Sequence, residues 1–131
     1  MGYPRTDSRA GIRNYIAVIS TVSCANHVVN SIAAGSEIAV PVVHETGCLQ
    51  FAQDLEMTKR TILNMGYHPN AGAVIYVGLG CEQVDTKSIA NSITTRPVRY
   101  LLIQEEGGTR GAIARWESKS GKYCRRNNYA C

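Results

Sequence analysis

The feature that most constrains this chain is a fourfold alternation. Four short apolar runs lie at residues 15–20 (YIAVIS), 37–43 (EIAVPVV), 73–77 (AVIYV) and 98–103 (VRYLLI). A polar loop-like stretch follows each, and then a helical pattern. A continuous apolar run reads as a strand buried on both faces. Ala25, Val28, Val29, Ile32 and Ala33 recur at i, i+3, i+4, i+7 and i+8, the spacing of one helix face. Phe51, Leu55, Thr58, Ile62 and Met65 mark a second helix over 49–65. Val84, Ile89, Ala90 and Ile93 mark a weaker third over 83–93, and a fourth begins near Thr109. Ser23 is positioned to cap the first helix. Gly35 and Gly66 are positioned to stop the first and second. Pro41 cannot donate to a ladder, so the second strand is expected at a sheet edge or irregular at that point.

Strand and helix in strict alternation imply an α/β, Rossmann-like fold. The expectation is a mostly parallel sheet of about four strands, with helices on both faces and right-handed crossovers. Residues 1–14 read as a polar arm, 15–115 as the domain and 116–131 as a tail. Ligands of such sheets bind beyond the carboxyl ends of the strands. The loops there read TVSCAN, HETGC, GLGCEQ and QEEGGT.

Three of these loops carry a cysteine: Cys24, Cys48 and Cys81. Thiolates at one rim suit iron, an iron–sulfur cluster or zinc. His44, Glu45 and Glu82 add ligands or acid–base groups to the same loops. Set against this, a free cysteine also packs well as a small hydrophobe, and a structural zinc or redox protein is a further reading. The Gly78-Leu79-Gly80 turn lacks the third glycine of a dinucleotide fingerprint, and it follows the third strand where the fingerprint follows the first. No G-x-x-x-x-G-K-[ST] motif occurs, so triphosphate chemistry has no support.

The net charge of +4 does not make a nucleic-acid binder. Four of the 14 basic residues, against one acid, fall in 117–131, which leaves the first 116 residues close to neutral. No apolar run approaches the ~20 residues of a membrane span. The first residues lack the layout of a signal peptide, and the five cysteines form an odd set. The chain therefore reads as cytoplasmic with reduced thiols, and assembly as a homo-oligomer is left open.

The motifs together resemble a known family. GYPRTDSRAGIRN, the following strand with TVSCA, HETGC, HPN, VGLGCE and IQEEGGT stand in the order and approximate spacing found in altronate/galactarate dehydratases, over residues 2 to about 114. The same family includes the large subunit of a sulfolactate sulfo-lyase. The resemblance implies elimination of water from a hydroxy-carboxylate sugar acid. A proton leaves the carbon α to the carboxylate and the β-hydroxyl is expelled, giving a 2-keto-3-deoxy acid. It further implies iron, as Fe²⁺ or an iron–sulfur cluster. On this likeness Cys24, Cys48 and Cys81 are candidate metal ligands, and His44 and Glu82 candidate acid–base groups. Arg5, Arg9, Arg13, Asn14, Thr21, Gly107, Gly108 and Thr109 are candidates for holding the substrate. An alternative is a non-catalytic anion- or metal-binding module that works with a partner chain. Two positions depart from the family pattern: Ser8 and Leu49 stand where glycine is usual.

Family catalytic portions are several times longer, so the chain is expected to be their first domain, inactive without the remaining domains or a partner subunit. After Arg115 the sequence changes character. Read one base later, Trp116-Glu117 encodes glycine, and the stretches 123–125 and 127–129 admit apolar residues at helical spacing. A tail translated out of frame from 116 to 131 is therefore expected, with a genuine basic tail as the alternative. An out-of-frame tail would leave Cys124 and Cys131 without chemical meaning.

Overall fold

A computed structural model describes residues 2–126. The elements in chain order are β1 (Tyr3–Pro4), β2 (Ala10–Gly11), β3 (Tyr15–Ser20), α1 (Asn26–Ala34), β4 (Ala39–Val42), α2 (Ala52–Gly66), β5 (Ala71–Gly78), α3 (Thr86–Ser92), β6 (Val98–Leu102) and α4 (Thr109–Arg126). Strands β3 to β6 form one parallel sheet in the order β4-β3-β5-β6. The Rossmann-like α/β expectation therefore holds, and β4, with Pro41, lies at an edge.

The apolar runs are explained by a core on each face. On β3, Ile16 and Val18 join α1 and α4 in one core, while Ala17 and Ile19 join α2 and α3 in the other. Successive strand side chains point to opposite faces, so a strand covered on both sides has no polar position to offer. All eight residues of β5 are buried for the same reason.

Several local expectations give way to tertiary context. The arm is a short antiparallel hairpin, with Tyr3 opposite Gly11. Ser23 opens a short 3-10 turn, and no side chain caps α1. Gly35 ends α1 with φ −78°, so it does not use the left-handed conformation of a glycine stop. Gly66 is the last residue of α2, packed where a side chain would run into the Tyr76 hydroxyl. Asp85, not singled out by the sequence reading, caps α3 by accepting from the Ser88 amide at 3.1 Å.

The change of sequence character at residue 116 does not interrupt the fold. Helix α4 runs through it to Arg126, with Trp116 packed against the core and Cys124 2% exposed within it. Cys24, Cys48 and Cys81 are free thiols. Cys124 is disulfide-bonded, a departure from the expectation of reduced thiols. Residues 127–131 of the expected tail, with Cys131, lie outside the described residues.

Candidate functional site

The site residues suggested by sequence divide between the two ends of the sheet. The arm sits at the amino end: the Tyr15 amide donates to Asn70 O, and Tyr15 pairs with Ala71. Thr21 and the three cysteine loops sit at the carboxyl end. The six residues of β3 separate the two groups by roughly 20 Å, at ~3.3 Å per residue. Arg5, Arg9, Arg13 and Asn14 are therefore not brought together with the rim in one copy of the chain.

The arm residues build a latch. Arg5 Nε donates to Pro69 O at 2.8 Å, and its Nη1 donates to Asn14 Oδ1 at 2.9 Å. Asn70 Oδ1 accepts the amides of Ile12 (3.0 Å) and Arg13 (3.3 Å). Arg9 pairs with Asp7 at 2.6 Å and lends it an amide. Those bonds, with the nearby positive charge of Arg96, hold the Asp7 carboxyl at about 2 against the opposing effect of burial. Arg96 is the residue that sequence reasoning missed here. Its Nη1 donates to His68 O and Ala71 O, and its Nη2 to Asp7. A lone arginine in a turn gave no signal of this in the sequence. The HPN motif thus serves as the receptacle of the latch.

At the other end the four rim loops are stitched to one another. The Ser23 amide donates to Thr46 O at 3.0 Å, and Asn26 Nδ2 to His44 O at 2.9 Å. Gln50 and Gln83 exchange hydrogen bonds between the second and third loops. The Gln104 amide donates to Leu79 O at 3.0 Å, joining the third loop to the fourth. Gly47, at φ +100°, lets the second loop close over β3, where a side chain would run into Thr21 O.

The chemistry-bearing side chains are mostly committed to this stitching. His44 Nε2 lies 2.9 Å from Ser20 O. A carbonyl only accepts, so this nitrogen carries the proton. Nδ1 then accepts from the Thr46 amide (3.2 Å) and hydroxyl (2.8 Å). Glu82 Oε2 accepts the Gly80 amide at 2.6 Å, and Oε1 accepts from Thr86 Oγ1 at 2.8 Å, with Thr21 Oγ1 at 3.1 Å. Burial alone would raise the Glu82 carboxyl, but these donors outweigh it and hold the group below its ordinary value. Thr21 is fully buried, with its hydroxyl 2.8 Å from that of Thr86. It therefore does not face the solvent as a substrate-binding residue would.

The glycines of the VGLGCE motif serve this carboxylate. A side chain at Gly78 would run into Glu82 Oε1 and Thr86 Oγ1. Gly80, at φ +117°, turns its amide onto Oε2. Thr86, four residues beyond the motif, was not signalled by the sequence.

The exposed part of the rim includes the thiols, Glu45, Thr46 and Leu49 of the second loop, and most of the fourth loop. Cys24, Cys48 and Cys81 are all exposed. Gly107 and Gly108 have positive φ and open space beside them, and Thr109 begins α4. Among the described residues, no three His, Cys, Asp or Glu side chains are grouped to hold a metal ion. The three thiols share the rim as exposed side chains. No helix among the described residues is long and apolar enough to cross a membrane.

Comparison with known proteins gives a consistent result. Residues 2–128 match the family model described as D-galactarate dehydratase/altronate hydrolase, second domain. The chain is 31% identical over 116 residues to an altronate dehydratase of Bacillus subtilis, covering 79% of this chain and 23% of that protein. It is 30% identical over 117 residues to the altronate dehydratase of Escherichia coli K12, covering 79% and 24%. It is 31% identical over 125 residues to the (2R)-sulfolactate sulfo-lyase subunit beta of Chromohalobacter salexigens, covering 94% and 31%. The chain thus spans between about a quarter and a third of these relatives. No solved structure matches it.

Proposed function

The chain belongs to the D-galactarate dehydratase/altronate hydrolase family, and from that premise we propose that it supplies one part of a hydro-lyase site for a sugar acid such as altronate or galactarate. The observation that carries this reading is the rim itself. Four loops of family pattern are stitched together at the carboxyl end of the sheet, where ligands of such folds bind. In the proposed reaction the substrate loses the proton α to its carboxylate and the hydroxyl on the β-carbon. The resulting enol becomes a 2-keto-3-deoxy acid.

The chain by itself is proposed to be inactive. His44 and Glu82 have their polar atoms engaged, and the arginines suited to carboxylates lie at the far end of the sheet. The remaining groups, including any that complete a metal site around Cys24, Cys48 and Cys81, would come from further dehydratase domains or a partner subunit. A cytoplasmic location belongs to the same reading. The test is incubation of the purified chain with altronate and galactarate, following 2-keto-3-deoxy acid formation. No turnover above the background is expected. Turnover at enzyme-like rates by the chain alone would overturn the proposal.

A second reading is a non-catalytic subunit that binds an anion or metal beside a partner chain. It draws on the likeness to a protein named as a subunit beta. Stoichiometric binding of a sugar acid or Fe²⁺ that persists without activity, even beside the missing domains, would favour it.

A further inference from the structure

We infer that Glu82 is a positioning residue, which ties the Gly78–Cys81 loop to the carboxyl end of β3 and so sets where the Cys81 thiol stands on the rim. This rests on the dehydratase reading only for the reaction that the rim would serve. The geometry of the brace stands on its own.

Three contacts define the brace. Oε2 takes the Gly80 amide at 2.6 Å, the shortest hydrogen bond in the loop. Oε1 takes the Thr86 hydroxyl at 2.8 Å and stands 3.1 Å from the Thr21 hydroxyl. The two threonine oxygens are 2.8 Å apart. The shortest contacts therefore form a relay in which Thr21 donates to Thr86 and Thr86 donates to the carboxylate. Thr21 follows directly on β3, whose last residue Ser20 pairs with Val77 of β5. The anchor is the most deeply buried part of the sheet, and the tethered end is an exposed loop carrying an exposed thiol. Gly78 is the space that the arrangement needs, since any side chain there would displace both Oε1 and Thr86 Oγ1.

A general base has to offer an oxygen within about 2.6–3.2 Å of the atom whose proton it takes. In Glu82 the loop engages Oε2 and the two threonines engage Oε1, so drawing either oxygen toward a substrate works against the tether of the turn that carries Cys81. His44 is braced in the same manner, onto Ser20 O and Thr46. Both residues that sequence singled out for proton transfer are thus ties between rim loops and the end of β3. The proton-transfer group of the proposed elimination is then to be sought outside His44 and Glu82, at the exposed Glu45 of the same rim or in further dehydratase domains.

The test reads the loop and not turnover, so it can fail while the dehydratase reading stands, and the reverse. Two readouts are taken on the purified chain: exchange of the Gly80 amide, and alkylation of Cys81 by neutral iodoacetamide, with Cys24 and Cys48 as internal references. Glu82→Ala is expected to speed Gly80 exchange at least tenfold and to change the Cys81 rate at least threefold. The rates of Cys24 and Cys48 and the exchange of β5 amides should stay as they were. Glu82→Gln keeps an acceptor for Gly80 and can bond both threonines, so it should restore Gly80 exchange to within threefold of the parent. Should Glu82→Ala not fold, Thr86→Val should loosen the loop in the same direction and Thr86→Ser should not. Unchanged Gly80 exchange in the Ala and Val variants would overturn the inference. So would a uniform rise across all three thiols and β5, which would mark Glu82 as a stabiliser of the whole fold.

Discussion

Arg96 Nη2 lies 3.1 Å from Asp7 Oδ2, bridging the turn before β6 to the hairpin at the start of the chain. The guanidinium side chain is only 2% exposed, and its other nitrogen holds the carbonyls of His68 and Ala71. One side chain therefore joins the arm, the HPN turn and the entry to β6. Removing it takes one donor each from the carbonyls of His68 and Ala71 and from Asp7, which keeps its bonds from Arg9.

Arg96→Ala is accordingly expected to destabilise the fold by roughly 1–3 kcal/mol, the scale for stripping a buried carbonyl such as Ala71 O of its donor. Arg96→Lys should recover only part of this, because an ammonium cannot bridge carbonyls and carboxylate as a planar fork does. Urea unfolding of the three proteins checks both statements. A loss under about 0.5 kcal/mol, the range of ordinary surface substitutions, would show that the latch is dispensable.

The same pair sets a pH dependence. The Asp7 carboxyl is lowered from 3.8 to about 2, first by its hydrogen bond from Arg9 and with help from the charges of Arg9 and Arg96. A depressed carboxylate stabilises the fold fully above its unfolded value and loses that contribution as pH falls through the folded one. The stability gap between the parent and Asp7→Asn should thus be constant above about pH 5 and close between 3.8 and about 2. Thermal unfolding of both proteins across that range gives the answer, and a gap that widens on acidification would contradict the assignment.

Gly78→Ala tests the room made for Glu82. The added methyl meets Glu82 Oε1 and Thr86 Oγ1, so a cost of about 1–3 kcal/mol is expected from overpacking. In a Glu82→Ala background most of that cost should vanish, because the obstructing carboxylate is gone. A double-mutant cycle measures the coupling, expected to exceed about 0.5 kcal/mol as for residues in direct contact. Additive effects would mean that the glycine serves something else.

Leu49 holds φ +54° with its side chain 94% exposed, and Ser8 holds φ +65°. At both positions the family resemblance led to an expectation of glycine, and the backbone there is in the left-handed region. An L-residue there costs roughly 1–2 kcal/mol, part of which a glycine returns as unfolded-state entropy. Leu49→Gly is expected to leave the fold unchanged and to raise stability by up to about 1 kcal/mol. Urea midpoints of Leu49→Gly and Ser8→Gly decide it, and a clear loss of stability would show that Leu49 makes a contact its exposure conceals.

How much could be read in advance follows from what each signal depends on. Periodicity is local, so the runs at 15–20, 37–43, 73–77 and 98–103 pointed to four strands of a parallel sheet, while the order β4-β3-β5-β6, which puts the Pro41 strand at an edge, came from the structure. The motifs, too, were legible as a set, because family likeness lies in residue order. Their meanings were not. Arg5, Arg9 and Arg13 read as candidates for holding a carboxylate, and the structure places them in the hairpin at the amino end of the sheet, where Arg5 binds Pro69 O and Arg9 binds Asp7. Thr21 read as a rim residue, yet it is buried beneath the rim.

Sequence by itself determined the architecture, the family and the collection of polar loops at one end of the sheet. These follow from hydrophobic patterning and from the strand-helix order, which need only neighbours along the chain. The tertiary structure alone decided which polar atoms meet. Asp7 finds Arg96 across 89 positions and Thr21 finds Glu82 across 61. Contacts between residues so far apart are set by sheet register and by the space that Gly78 leaves. Neither leaves a periodic trace in the sequence, so His44 and Glu82 read there as acids and bases, and emerge as braces only once the loops are closed.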